Sequence, residues 1–149
     1  MTDILSLTGG SGSDIDLMDH TAYLADDKFG DSFNDEPNYL EQYVTLPAGG
    51  RKLQRRILIG DTITFDVLCI GDTFDEAYSN FLAIRDKLDS AGLNQLTGAG
   101  TPVMFNEKRQ NQSSTVSMKV VGGTIKRKNW TLLAAGYVEA VLRLETSPV

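Results

Sequence analysis

The 149-residue sequence predicts an α+β fold that is mainly β, built from antiparallel sheets in a split barrel or sandwich, with one amphipathic helix at about residues 73–91 packed on a sheet. Three observations carry this prediction. Short alternating apolar runs bounded by Gly, Pro, Asn and Asp recur along the chain. A single stretch, GDTFDEAYSNFLAIRDKLDSAG, instead repeats its apolar residues at steps of three and four. At 41% hydrophobic, a chain of this length can bury a core without disulfide or metal support, so residues 1–149 read as one domain.

The elements follow in order. Residues 1–20 read as an opening β-hairpin or arm: DILSLTGG alternates Ile4, Leu5 and Leu7, a glycine-serine turn runs from Gly9 to Ser13, and DIDLMD offers Ile15 and Leu17 on one face. Residues 24–42 are acidic and aperiodic and contain Gly30 and Pro37, which predicts a long loop. This loop carries Phe29, Phe33, Tyr39 and Leu40, more apolar material than a solvated linker needs, so it is a candidate for docking on a neighbour or on its own domain.

YVTLP then gives a strand ending at Pro47, with a turn at Gly49-Gly50. RKLQRRILIGDTITFDVLCIG reads as a hairpin in which Leu53, Ile57 and Ile59 share a face interrupted by Arg55. Gly60-Asp61 serves as its two-residue turn, and Ile63, Phe65, Val67 and Cys69 line the buried face of the return strand. The helix opens on a Thr73-x-x-Glu76 capping box. Its apolar stripe is Phe74, Ala77, Tyr78, Phe81, Leu82 and Leu88, broken by Arg85; Asp75, Ser79, Asp86 and Lys87 fall opposite, and Gly92 is placed to end it. A helix with one apolar face belongs against a sheet. Beyond it, VMFNEK, STVSMKVVGGTIKRKNW and YVEAVLRLETSPV read as strands, with a turn or bulge at Gly122-Gly123.

The chemistry-bearing residues point away from catalysis, and the chain is expected not to be an enzyme and to need no cofactor or metal. His20 is the only histidine, which excludes a histidine metal cluster, and no Gly-x-Ser-x-Gly elbow is present. DIDLMD opens like a calcium loop, but Met18 stands at the third ligand position and Ala25 at the twelfth. GGSGSD lacks the Gly-Lys-Ser/Thr ending of a phosphate loop. Cys69, the only cysteine, lies in an apolar run and reads as a buried small hydrophobe. Neither a basic leader nor a run of about 20 apolar residues is seen, so no membrane association is expected.

Charge is distributed unevenly within a net −6. Residues 1–46 hold ten carboxylates against Lys28, whereas residues 101–149 hold seven basic side chains against three acids. That polarity lets the acidic part of one copy meet the basic part of the next, or leaves two independently solvated surfaces. KRKNW, Lys126 to Trp130, could serve a nucleic-acid binder, but an overall pI near 4.7 favours an acidic protein neighbour.

The order of elements is similar to the tail-tube fold of long-tailed bacteriophages, most of all the ring-forming domain of distal tail proteins. A basic RRILIGDTITFDVLCIG strand segment, the DEAYSNFLAIRDKL helix, the strand of TPVMF and a closing YVEAVLRLET carry the resemblance over about residues 43–146. It implies a virion protein of the tail, made in the host cytoplasm, that forms a homo-oligomeric, hexameric ring. Hairpin strands from each copy would join one inner β-barrel, other tail proteins would be neighbours, and DNA would pass an acidic lumen without specific binding. Interface candidates are Phe29, Phe33, Tyr39, Leu40, Arg55, Arg56, Lys126, Arg127, Lys128 and Trp130. A capsid decoration or cement protein and a small nucleic-acid-binding module are the alternative readings.

Overall fold

The computed structural model describes residues 4–23, 32–109, 112–128 and 136–147. Among these residues seven antiparallel strands, β1 (Ile4–Thr8), β2 (Ile15–Asp16), β3 (Asn34–Thr45), β4 (Arg51–Ile70), β5 (Val103–Lys108), β6 (Val116–Arg127) and β7 (Tyr137–Ser147), form one sheet in the order β2-β1-β5-β6-β7-β4-β3. Helix α1 (Phe74–Thr97) follows β4 and packs across the sheet. The mainly β, α+β architecture expected from the sequence is therefore present.

The core lies on one face of this sheet. Cross-strand pairs Ile63–Leu144, Phe65–Leu142, Val67–Ala140 and Cys69–Val138 are all buried, which fixes the register because a one-residue slip would turn each of them to the opposite side. The sheet curls around them. Phe65 on β4 and Phe105 on β5 are three strands apart in the sheet, a separation of about 14 Å if the sheet were flat, yet their ring centroids lie 6.1 Å apart. Phe33 adds a third ring, 6.1 Å from Phe65. Leu5, Leu7, Ile15 and Leu17 close the same core from the N-terminal hairpin.

α1 seals the open side of the curl. Thr73 Oγ1 accepts a hydrogen bond from the Glu76 amide at 3.2 Å, and Glu76 Oε2 accepts one from the Asp72 amide at 2.8 Å, so the cap ties the helix start to the chain that enters it. The buried residues are Ala77, Phe81, Ile84, Lys87, Leu88 and Ala91. Lys87 is thus on the inner face, and Arg85, placed on the stripe by the sequence reading, is exposed. The helix also runs past Gly92 to Thr97 and ends at Gly98, whose left-handed φ of 70° suits glycine. Its last turns leave the core, with Leu96 84% exposed, so no apolar period marked them in the sequence.

Two more expectations are corrected. Residues 34–42 are not loop but strand β3, paired with β4 from Asn34↔Thr64 to Thr45↔Arg51. β3 is an edge strand exposed on both faces, so it lacks alternation, and an edge tolerates Pro37. Gly60-Asp61 is not a turn: β4 passes straight through it for 20 residues. Gly60 is there because a Cβ at this position would come within 1.8 Å of the Thr146 carbonyl oxygen, and its φ is +147°. Gly122-Gly123 lies at a register shift within β6, a bulge of the kind expected.

Candidate functional site: a projecting β-hairpin

β4 changes character at Gly60. From Gly60 to Ile70 it alternates between buried and half-buried, whereas Arg51 to Ile59 is exposed at every position. β7 pairs with β4 only from Thr62 to Ile70. The outer half of β4 therefore pairs with β3 alone, and together they form a hairpin arm that extends about 30 Å beyond the curled sheet at the usual strand rise. Its turn, Pro47 to Gly50, is closed by a Leu46 N–H to Gly50 carbonyl bond of 3.1 Å.

Two register shifts lie along the arm, between Asn38 and Tyr39 and between Gln42 and Tyr43, and each leaves an extra residue on β4, Ile59 and Gln54. Bulges of this kind bend and twist a ladder. They also change which side chains share a face. Leu53, read from the sequence as lying with Ile57, pairs with Tyr43 on the opposite face.

One face of the arm carries Tyr39, Glu41 and Tyr43 from β3 with Arg51, Leu53, Arg56 and Leu58 from β4. The Arg56 guanidinium lies 3.8 Å from the Tyr39 ring centroid and 3.3 Å from Glu41 Oε1, and Arg51 lies 4.2 Å from the Tyr43 ring. The Tyr43 hydroxyl donates to Glu41. The other face carries Leu40, Gln42 and Val44 with Lys52, Arg55 and Ile57. Tyr39, Leu40, Tyr43, Val44, Leu53, Ile57, Leu58 and Ile59 are all exposed large apolar side chains. A lone two-stranded ribbon with both faces in water is marginal in stability, and an exposed apolar edge invites pairing with another chain.

The arm thus gathers Tyr39, Leu40, Arg55 and Arg56 of the interface candidates. The others lie elsewhere. Phe33 is half-buried against the core. The Arg127 guanidinium is 5.5 Å from the Phe74 and Tyr78 ring centroids on α1, and Lys128 is ion-paired with Asp66 at 3.0 Å, so these two cations are engaged within the chain. Lys126 is exposed on β6. Phe29 and Trp130 fall outside the described residues. What sequence reasoning missed is Leu58, Val44 and Tyr43; an apolar run with no consistent partner face, LQRRILI, was the available signal.

The face of the sheet away from α1 presents Thr64, Asp66, Val141, Arg143 and Glu145, with Arg143 bonded to Glu145 at 2.6 Å. It carries both signs of charge. Among the described residues no cluster of His, Cys, Asp or Glu is arranged to hold a metal ion, and no helix is long and apolar enough to cross a membrane. Burial pushes the Cys69 thiol up to about 12. The chain matches no protein-family model and no curated protein.

Proposed function

We propose that this chain is a structural subunit of a phage tail, of the tail-tube type, that works by self-association into a ring or tube around a channel for DNA. The arm is the observation that carries the reading. A body whose core is already closed by α1 has no need of a 20-residue strand of which nine residues, Arg51 to Ile59, stand outside the core. Strands of this kind gain stability when a neighbour supplies the missing pairs, and a closed arrangement of subunits removes the edges that one copy exposes. In this reading α1 faces outward and leaves the other face of the sheet to the interior of the ring. The net charge of −6 works against adhesion of DNA in transit.

Electron microscopy of the purified protein tests it directly. Rings or tubes with about six subunits per layer are expected. A strictly monomeric particle at high concentration overturns the reading, and trimers that add to a head lattice point instead to a capsid-decorating role.

A further inference from the structure

The two faces of the arm are unequal. On the first, Arg51, Arg56, Tyr39, Tyr43 and Glu41 satisfy one another. On the second, Lys52 and Arg55 are exposed and make no ion pair among the described residues, and they stand beside the exposed aliphatic side chains of Leu40, Val44 and Ile57. Cations and apolar groups left together on one unpartnered sheet face describe the chemistry of the surface that would cover them: acidic, with an apolar floor.

The chain itself carries such a surface. A cleft of about 490 Å³ lies between the Gly9–Asp14 turn and α1, lined by Asp14, Asp16, Asp19 and Asp86 with Ile15 and Tyr23 among its walls. Asp14, Asp16 and Asp19 each use one oxygen to accept a backbone N–H of their own turn, from Gly9, Met18 and Thr21, which holds the carboxylates in place. The Lys87 ammonium beneath the turn is committed to the Gly9 and Ser11 carbonyl oxygens, at 2.5 and 3.2 Å.

We propose that the Lys52–Arg55 face of the arm docks in this acidic cleft of a second copy of the chain. The inference rests on the self-association reading and names the surface that receives the arm. The arm belongs to the β3 end of the strand order and the cleft to the β2–β1 end. A contact between two different surfaces is heterologous, so each copy both gives an arm and receives one, and repetition by rotation closes a ring. The charges steer and orient the encounter, and Leu40, Val44 and Ile57 lose their exposure in it.

Charge reversal in the full-length protein tests the pairing, read by sedimentation velocity at low and high salt. Lys52→Glu with Arg55→Glu, and separately Asp86→Lys with Asp16→Asn, are expected to weaken self-association by at least about ten-fold and to flatten its salt dependence. All four positions are exposed, and circular dichroism confirms that each variant is folded. A zero-length lysine-to-carboxylate crosslinker on the unaltered protein, with a mixture of isotopically light and heavy chains, should join Lys52 of one copy to a cleft aspartate of another. If the protein assembles but both variants assemble equally well, and Lys52 crosslinks only elsewhere, the pairing is wrong while self-association stands. If the unaltered protein never associates, the parent reading falls and takes the pairing with it.

Discussion

Lys87 is the residue at which composition misleads most. It is 1% exposed inside α1, three positions after Ile84 and four before Ala91, and so it shares their face. Burial lowers its proton affinity, and nearby Asp14 partly offsets this. Its ammonium fastens the Gly9–Ser13 turn to the helix, so Lys87→Met is expected to cost about 1.5–3 kcal/mol in denaturant unfolding, the value of hydrogen bonds to a charged group. The sequence reading placed it on the opposite face, because lysine ordinarily faces water, although its spacing from Ile84 and Ala91 matches the buried side.

Asp35 is a second such residue. Its carboxyl is pushed from the ordinary 3.8 up to about 6, first by desolvation, then by a hydrogen bond with Asp61 and by the negative charges of Asp61 and Glu107. The folded state thus holds a proton that the unfolded chain releases. Its contribution to stability is complete below about pH 4 and is lost as pH rises through about 6. Thermal melts of Asp35→Asn should lack this fall in stability between pH 4 and 6; an unchanged slope would show that another group causes it. No sequence pattern announces the pair, because Asp35 and Asp61 meet only through the β3–β4 register.

Among the elements, β4 shows most clearly what periodicity can and cannot report. Its inner half was legible because Ile63, Phe65, Val67 and Cys69 alternate with residues that face out. The alternation read in the outer half, Leu53 with Ile57 and Ile59, does not hold because neither face is buried and bulges at Gln54 and Ile59 change the faces, and Gly60-Asp61 in the middle resembles a turn. The actual demand on Gly60 is contact with β7, where the Thr146 hydroxyl also donates to the Asp61 carbonyl and accepts from its amide, both at 3.2 Å. Gly60→Val is expected to destabilise the protein by roughly 3 kcal/mol or more, through strain at positive φ and a clash that pushes β4 off β7. Hydrogen exchange should show the loss first at Asp61 to Thr64 and the facing end of β7. For α1, the capping box and most of the stripe were legible at its start, where the core dictates them, and the end was not, where the helix runs into solvent.

At the scale of the whole molecule, body and arm separate energetically. The buried cluster contains no side chain from 34–59, so the body is closed without the arm. Leu40→Ser with Ile57→Ser should therefore leave unfolding of the monomer within about 0.5 kcal/mol. The same variant should reduce the proposed self-association in light scattering; a large drop in monomer stability instead would mean that the arm supports the body. The mainly β class, the capped helix and the buried faces of the inner strands are legible in the chain, because alternation and helical period record burial residue by residue. That 34–42 is a strand, that β4 is continuous through Gly60, and that Arg127 packs on α1 and Lys128 pairs with Asp66 while Lys52 and Arg55 make no ion pair among the described residues was settled by the fold. These depend on strand register, bulges and curl, which are set by contacts between residues far apart in the chain and leave no local pattern.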